Sequence, residues 1–578
     1  MHMPKILKKL GPRRVSIVLI LLFFLVNSVW VKLDQTAPII GDDARFLQGT
    51  YELYLPLKQG DFQEFYRTWQ NLYVENTSSF PRTPLFALLS VPTFLVLGVS
   101  EDSAVITNLV VLALASFVLM LLCEQLLLKK EKSAGASNWL LPLSVVLFNV
   151  LPGVSGFGRL YMSETLQTFF VLLLTLLMFR YRSSTELRNF AKLGLLWSLA
   201  LLLRFIMPVY LVIPMVVFVY DQLKLKQNTA YYLKALAVFF IAFLPLILTW
   251  YGQNLQTYLQ FASYTTSGEL AKYTSLGPVW HPLTVLRFWY VIATWVFGWP
   301  FVLLALAALL IRLLQQKFKY FRQLSKKQVL LLMIPFPALL AATLSDNKTA
   351  RYFVPVIGFW VLLIAYEINL VFSLLRKDGL IRLPNVLSRV SGNRVLGKAA
   401  VVTLVLVFLI SLCLSIYPYS QSVLTFLPKL PKTGLNYAAG PLNRSQVSRL
   451  RYQFFFQTYK QILMQKDLAK DNSTLKTYLV PEQTYFNEAE LVWYFTERGY
   501  GLNSLGEFTK YEDLQKGKEK INLADILIVE TNPETQPLYY DKYQEIVAYT
   551  LESQKFLLVS SLDIQKTQSR LMVFIKID

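Results

Sequence analysis

Two adjacent aspartates near the start of the chain have the residue type and spacing best suited to catalysis. Asp42 and Asp43 stand in the segment GDDAR (41–45), within a stretch from 34 to 84 that carries seven acidic residues against four basic ones and is rich in aromatic residues. A carboxylate can accept the proton of a carbohydrate hydroxyl while an aromatic ring covers an apolar sugar face. The alternative is an amphipathic loop on lipid headgroups, with its aromatic residues in the interfacial belt.

Three arginines beside apolar runs are candidates for binding a phosphate. Arg159 precedes one run, Arg204 separates two short runs, and Arg351 opens another. A cation near a bilayer is costly unless it is paired, and arginine binds phosphate through two hydrogen bonds. The set suits a lipid-linked phosphate whose tail stays in the bilayer. The alternatives are interfacial snorkelling and a structural ion pair, for example between Arg159 and Glu164.

The residue types and their spacing give little support for a metal or nucleotide cofactor. His281, in the segment PVWHP (278–282), can hydrogen-bond a phosphate, although a histidine in a loop is more often merely solvated. The two histidines and two cysteines form no group with metal-ligand spacing. No glycine-rich phosphate loop occurs between a strand and a helix. We therefore expect no metal site and no nucleotide cofactor from the residues alone.

The elements that must hold these residues are membrane helices. The chain has 578 residues, of which 54% are hydrophobic and only 16% charged, whereas a soluble protein carries about a quarter charged residues. Apolar runs of spanning length recur between Val15 and Leu414, so a polytopic membrane protein is predicted. The predicted spans are Val15–Val31, Ser103–Leu128, Trp139–Val154, Thr165–Phe179, Phe190–Leu203, Phe205–Tyr220, Ala235–Trp250, Thr284–Ile311, Val329–Leu344, Tyr352–Leu375 and Ala399–Ile416.

The distribution of charge predicts the orientation. Pro84–Val99 is short and contains Pro92, which favours an interfacial or re-entrant helix that does not cross. With that choice, 27 lysines and arginines of the membrane part fall on one side and eleven on the other. The positive-inside rule then predicts eleven spans, a cytoplasmic N-terminus and an extracytoplasmic C-terminus. The net charge of +21 is thus mostly a topology signal, and nucleic acid is not an expected partner.

The last 160 residues or so have a different pattern. Apolar runs shorten from Tyr417 onward, and charged residues are interspersed. Four short runs predict strands, and two amphipathic stretches predict helices. These strands are Thr477–Val480, Ile526–Val529, Phe556–Ser560 and Leu571–Ile577, and the helices are Phe486–Arg498 and Gln544–Gln554. We expect a membrane domain over 1–417, with its first outer loop at 34–83, and a small extracytoplasmic α/β domain over 418–578.

Several of these segments together resemble the GT-C superfamily of glycosyltransferases. The likeness covers about residues 1–417 and points to the family 39-like group of bacterial type, which includes protein mannosyltransferases and aminoarabinose transferases. The pair in GDDAR (41–45) is similar to the family's acidic pair in the first outer loop. PRTPL (81–85) is similar to a Pro-Pro-Leu-like motif that opens a juxtamembrane helix. RYFVP (351–355) is similar to an Arg-Tyr-x-x-Pro segment.

Three further positions extend the resemblance. Arg159 and Glu164 match an arginine followed five positions later by an acidic residue, and Arg204 stands where the family usually has a lysine. TWYGQN (249–254) keeps Trp250 and Asn254 of a Pro-Trp-x-x-Arg-Asn-like motif but lacks its proline and arginine. That departure puts one phosphate contact in doubt.

The resemblance implies an inverting transferase for a hexosyl or pentosyl group, with a polyprenyl-phosphate sugar as donor and a lipid, glycan or protein as acceptor. It implies Asp42 as the general base, Asp43 as its helper or as a ligand of a divalent cation, and an outer-face site in the plasma (inner) membrane. Arg159, Arg204, Arg351 and His281 would bind the donor phosphate. Sugar or acceptor contacts would come from Glu64, Tyr66, Glu164, Trp250 and Asn254.

Two other functions remain open for this sequence. A transporter or flippase predicts repeated halves, broken helices in matching positions and ionisable residues in mid-span. No such repeat is evident, and the charges gather at the rim of the predicted bundle. A non-catalytic subunit for envelope assembly would keep the fold without needing Asp42 or Asp43. The C-terminal domain has no catalytic motif, so acceptor positioning, partner contact and a structural cap are all compatible with it.

Overall fold

A computed structural model gives the arrangement of most of the chain. It describes residues 11–33, 41–72, 83–128, 139–268, 271, 275, 277–315, 325–377, 446–466, 475–480, 488–498, 500, 502–507, 514–531, 540–564 and 569–577. The last predicted span, Ala399–Ile416, and the predicted domain boundary at 417 lie outside these residues.

Helices make up the described part of the first 377 residues. In chain order they are α1 Pro12–Leu33, α2 Gly41–Gln59, α3 Phe62–Asn71, α4 Leu85–Leu97, α5 Glu101–Cys123, α6 Leu140–Val150, α7 Pro152–Gly158, α8 Glu164–Tyr181, α9 Leu187–Leu203, α10 Met207–Leu223, α11 Thr229–Thr266, α12 Pro282–Val291, α13 Trp299–Gln315, α14 Lys326–Met333, α15 Phe336–Leu344 and α16 Ile357–Lys377. A π-helical turn extends α5 through Leu128, another follows α12, and a 3₁₀ helix over Ala350–Val356 precedes α16.

These helices have the length and composition of membrane spans. Among the described residues, six helical segments are long and apolar enough to cross a membrane, and the bent pair α6 and α7 adds a seventh. The chain alternates between two ends of the bundle. At one end the start of α1 meets the end of α5, where Arg13 lies 3.7 Å from Glu124. Because α1 and α5 are thus antiparallel, α2, α3 and α4 all connect at the opposite end.

Helix α4 therefore does not carry the chain across the bundle. Its 13 residues reach about 20 Å at 1.5 Å per residue, short of the ~30 Å hydrocarbon core. The Thr83 hydroxyl donates a 2.5 Å hydrogen bond to the carbonyl of Leu203, at the end of α9. The helix matches the non-crossing interpretation of Pro84–Val99, and together with α2 it forms a juxtamembrane layer.

Three of the predicted spans are interrupted rather than continuous. The chain bends by 66° between α6 and α7, next to Pro152, which cannot donate a hydrogen bond to the preceding turn. Gly298, at φ 80°, separates α12 from α13, so Thr284–Ile311 is not one helix. Pro335 separates α14 from α15 within Val329–Leu344. Periodicity alone did not predict these breaks, because each interrupting residue stands inside an apolar run.

A second unit near the C-terminus is built on a five-stranded sheet. Its elements are α17 Gln446–Gln465, β1 Lys476–Val480, α18 Glu488–Glu497, β2 Asn503–Glu507, α19 Leu514–Leu523, β3 Ile526–Thr531, α20 Tyr540–Glu552, β4 Phe556–Ile564 and β5 Ser569–Lys576. The strand order is β2-β1-β3-β5-β4, with β1, β2 and β3 parallel and β4 and β5 antiparallel to their neighbours. The predicted small α/β domain is confirmed, although β2, α17 and α19 were not predicted.

This domain contacts the juxtamembrane layer through helix α18, which packs directly on α2 and also reaches α4 through Trp493. Trp493 on α18 is 1% exposed and belongs to the apolar core of the helix bundle. Its ring stacks on Phe94 of α4, with centroids 6.2 Å apart. Phe94 in turn meets Tyr54 of α2 edge to face at 6.0 Å. Helix α18 therefore joins the sheet domain to the helix that carries Asp42 and Asp43.

Candidate functional site

A buried carboxylate lies between two arginines at the end of the bundle where α4 lies. Glu164 is the first residue of α8 and is 1% exposed. One of its oxygens, Oε1, is 3.6 Å from Nε of Arg351 and 3.9 Å from Nη2 of Arg204. Both arginine side chains are 19% exposed. Among the described side chains, two cations thus face one carboxylate in a largely enclosed place, an arrangement suited to an anionic ligand.

The turn between α9 and α10 positions Arg204. Arg204 has extended backbone and ends α9, with its N–H donating to the carbonyl of Ala200. Two neighbouring carbonyls are held by other elements, because Thr83 donates to Leu203 and the Tyr251 hydroxyl donates to Leu201 at 2.9 Å. The turn is thus fixed from the α4 side and from α11, which limits how far Arg204 can move.

A loop from 345 to 349 positions Arg351. Lys348 is fully buried in this loop, and its ammonium donates to the carbonyls of Ala342, Thr343 and Ser345 at the end of α15. Burial lowers the pKa of Lys348 below its ordinary value, although the nearby Asp346 carboxylate opposes the shift. These bonds satisfy carbonyls that a helix end leaves unpaired. The loop therefore presents the 3₁₀ helix, and Arg351 with it, in a fixed direction.

Tyrosines surround the two arginines. The ring of Tyr352 lies 5.9 Å from the guanidinium carbon of Arg204 and 5.6 Å from that of Arg351. Tyr210 on α10 is 1% exposed and interacts electrostatically with both arginines and with Glu164. Among the described residues, the Tyr210 hydroxyl has no hydrogen-bond partner. Buried hydroxyls are nearly always hydrogen-bonded in proteins, so this donor is a candidate for ligand contact.

The predicted catalytic pair lies on the first turn of α2. The backbone of Asp42 and Asp43 is helical, and their side chains lie outside the described part. Further along α2, Phe46 meets Tyr161 edge to face at 6.5 Å, and the Thr50 and Tyr161 hydroxyls are 2.7 Å apart. Tyr161 stands three residues before Glu164, so α2 packs on the segment that leads into the arginine site.

Among the described contacts, two predicted phosphate ligands do not meet the arginine pair. The Nε of Arg159 donates a 2.7 Å hydrogen bond to Asn27 of α1, and Arg159 is 4% exposed. Glu164 pairs with Arg204 and Arg351 within the described contacts, so the alternative pairing of Arg159 with Glu164 is not observed. His281 is the exposed N-cap residue of α12. No contact joins His281 to Arg204 or Arg351 among the residues that the structure describes.

Apart from Glu164, which lies between the two arginines, the predicted sugar and acceptor residues fall into two groups. Glu64 and Tyr66 are on α3, where Glu64 lies 3.5 Å from Arg67 and Tyr66 is 50% exposed. Trp250 and Asn254 on α11 are buried. The Asn254 amide donates to the carbonyl of Gln70 at 2.7 Å and thereby holds the end of α3.

Several residues near the site were missed by sequence reasoning. Tyr210, Tyr352, Lys348 and Trp493 were not candidates, because nothing in a linear sequence distinguishes them from other tyrosines, lysines and tryptophans. Only Tyr352 could have been found from the sequence, because it lies beside Arg351 in the segment RYFVP (351–355). Glu52 on α2 is a further, half-buried acid, and its burial raises the pKa of its carboxyl although a hydrogen bond from Gln48 opposes the shift.

Metal ligation is not evident in the described part of the chain. Among those residues, no three His, Cys, Asp or Glu side chains form a group that could hold a metal ion.

This architecture is similar to that of solved structures. No family model and no curated protein matches the chain. Among solved structures, it is similar to ArnT from Cupriavidus metallidurans bound to undecaprenyl phosphate, with a TM-score of 0.54 and 13% identity over 96% of this chain and 97% of that one. The apo state of the same protein gives a TM-score of 0.51 and 12% identity, with the same coverage.

The match extends over both the helix bundle and the C-terminal domain, since nearly the whole of each chain is covered. At such low identity the likeness concerns the fold. The chain shares the overall fold of ArnT, and the predicted fold class, a helical membrane protein with a small C-terminal α/β domain, is confirmed.

Proposed function

We propose that this protein is an inverting glycosyltransferase that moves a sugar from a polyprenyl-phosphate donor to an acceptor at the extracytoplasmic face of the membrane. The observation that carries the proposal is the pair Arg204 and Arg351, enclosed at the end of the bundle around Glu164. The fold supports it, because a structural neighbour binds undecaprenyl phosphate. The positive-inside rule supports the orientation, with the N-terminus in the cytoplasm.

In this mechanism the two arginines stabilise the leaving group. An acceptor hydroxyl or amine attacks the anomeric carbon of the sugar and gives its proton to Asp42, with Asp43 orienting the acceptor or assisting the base. The bond between the anomeric carbon and the phosphate oxygen breaks, and the electron pair leaves with that oxygen. Arg204 and Arg351 then offset the added negative charge on the polyprenyl phosphate.

The remaining candidates take supporting roles in the proposal. Arg159 and His281 would extend the phosphate site from α7 and α12. Glu64 and Tyr66 would contact the sugar or acceptor from α3, and a divalent cation near Asp43 stays compatible with the proposal. Asn254 would act through α3, because it is bonded to the backbone there, and Trp250 would support the same site from α11.

The arginine pair provides a direct test. Purified protein is given labelled polyprenyl-phosphate sugars of hexosyl and pentosyl type together with lipid, glycan and peptide acceptors. Arg204→Gln and Arg351→Gln should each lower kcat/KM by about 10²–10³-fold, the usual effect of removing one group that stabilises developing negative charge. The matched control is Arg182→Gln, at the other end of the bundle, where Arg182 lies 3.6 Å from Asp221.

Undiminished transfer in both site variants would contradict the mechanism. Transport of a polyprenyl-linked sugar without its transfer would favour the flippase alternative, and neither transfer nor transport would favour a non-catalytic assembly role.

A further inference from the structure

Glu164 is in an unusual position for a buried carboxylate. It is 1% exposed, yet no described group donates a hydrogen bond to either of its oxygens. Its contacts with Arg204 and Arg351, at 3.9 and 3.6 Å, are ion pairs that are too long for hydrogen bonds. Buried carboxylates usually accept several hydrogen bonds. The interaction of Glu164 with the two arginines is therefore mainly one of charge.

The described groups around Glu164 come from three other elements and include two cations. Arg204 ends α9, Tyr210 is on α10, and Arg351 and Tyr352 are on the 3₁₀ helix, while Glu164 opens α8. Nε of Arg204 and the hydroxyl of Tyr210 also have no hydrogen-bond partner among the described residues. Arg204 thus retains a donor group for another anion, and Glu164 offsets part of the positive charge of the two arginines.

We infer that Glu164 is a fixed counter-ion that weakens binding of the polyprenyl phosphate product and so permits its release. The inference rests on the proposed function and deepens it. The donor is a phosphodiester with one negative charge. The product is a monoester, which carries nearly two at pH 7 because its second pKa is about 6. A carboxylate beside the phosphate site therefore repels the product about twice as strongly as the donor.

This role differs from a direct contact with the acceptor. A counter-ion acts on the phosphate, so neutralising it changes the affinity for polyprenyl monophosphate and leaves the KM of the acceptor as it was. A residue that hydrogen-bonds the acceptor would show the opposite pattern. Glu164 thus acts by balancing the charge of the arginines. The affinity for polyprenyl monophosphate, measured without an acceptor, tests this role.

The experiment titrates the full-length protein with two probes, polyprenyl monophosphate and polyprenyl methyl phosphate, a diester with one charge. Glu164→Gln should lower the Kd of the monophosphate at least ten-fold and that of the diester by a clearly smaller factor. Glu164→Asp keeps the charge and should stay within about three-fold of the wild type for both probes.

Two further variants that change the net charge of the site keep the test valid if Glu164→Gln alone fails to fold. Arg351→Gln removes one positive charge and should weaken binding of the monophosphate. The double variant Glu164→Gln, Arg351→Gln restores the wild-type net charge and should bind between the two single variants. Unchanged or weaker monophosphate binding in folded Glu164→Gln, equal tightening for both probes, or a raised acceptor KM alone would overturn the inference. Failure of the wild type to bind either probe would instead contradict the proposed function.

Discussion

Substitution of Tyr210 should lower activity without lowering stability. Its hydroxyl is buried beside the arginine pair and has no hydrogen-bond partner among the described residues. Leaving a buried polar group unpaired costs about 1–3 kcal/mol. We expect Tyr210→Phe to unfold at the same temperature as the wild type or a higher one, and to lower the rate of sugar transfer about five- to ten-fold.

Tyr161→Phe is the matched comparison, because the Tyr161 hydroxyl is 2.7 Å from that of Thr50. This variant should lose thermal stability. Full activity in Tyr210→Phe would exclude its hydroxyl from the phosphate site. The two tyrosines look alike in sequence, and only their partners in the fold distinguish them. The arginines were predictable because a charged side chain beside an apolar run is costly unless it is paired or bound to a ligand. A tyrosine in the same place carries no such cost.

At the scale of elements, the close packing of α9 against α11 sets the position of Arg204. Gly194 lies in the middle of α9, and a Cβ at this position would overlap the carbonyl oxygen of Phe239 on α11. Gly194→Ala must push the two helices apart, at a cost of about 1–3 kcal/mol for an overpacked interior. We expect a lower midpoint of thermal unfolding and a lower transfer rate, because α9 ends at Arg204.

Gly252→Ala is the control on α11 itself. Nothing lies within 4 Å of its added Cβ, and alanine in a helix is favoured over glycine by roughly 0.5–1 kcal/mol. Gly252→Ala should be as stable as the wild type or more so, and equal effects of the two substitutions would contradict this account of the packing. Helix spans were predictable from apolar runs, but the close approach at Gly194 depends on a residue 45 positions away.

In the whole molecule, helix α18 links the C-terminal domain to the juxtamembrane layer, because it packs on α2 and its Trp493 is buried against α4. Trp493 stacks on Phe94, which contacts Tyr54 on α2. Because α2 also carries Asp42 and Asp43, undocking the domain should disturb the base without removing the arginine pair. We expect Trp493→Ala to lower kcat about ten-fold while the Kd for polyprenyl monophosphate stays within two-fold, and Trp493→Phe to restore most of the rate.

An unchanged kcat in Trp493→Ala would show that the domain does not act through α2. Most helices of the bundle were predictable, since apolar runs of spanning length indicate membrane helices. The docking of the domain was not, because Trp493 lies in an ordinary amphipathic helix and its partner Phe94 lies about 400 residues earlier. Predicting that contact requires the fold of both units.

In the proposed reaction, an aspartate on α2 activates the acceptor for attack on a polyprenyl-phosphate sugar. The most direct measurement is transfer of labelled sugar by wild type, Asp42→Asn, Asp43→Asn and the double variant. Polyprenyl phosphate binding, measured in parallel, shows that the arginine site is intact. A general base contributes about 10²–10⁴-fold, so we predict a loss of that size in Asp42→Asn and near silence in the double variant. Transfer at the wild-type rate in all three variants would contradict the account.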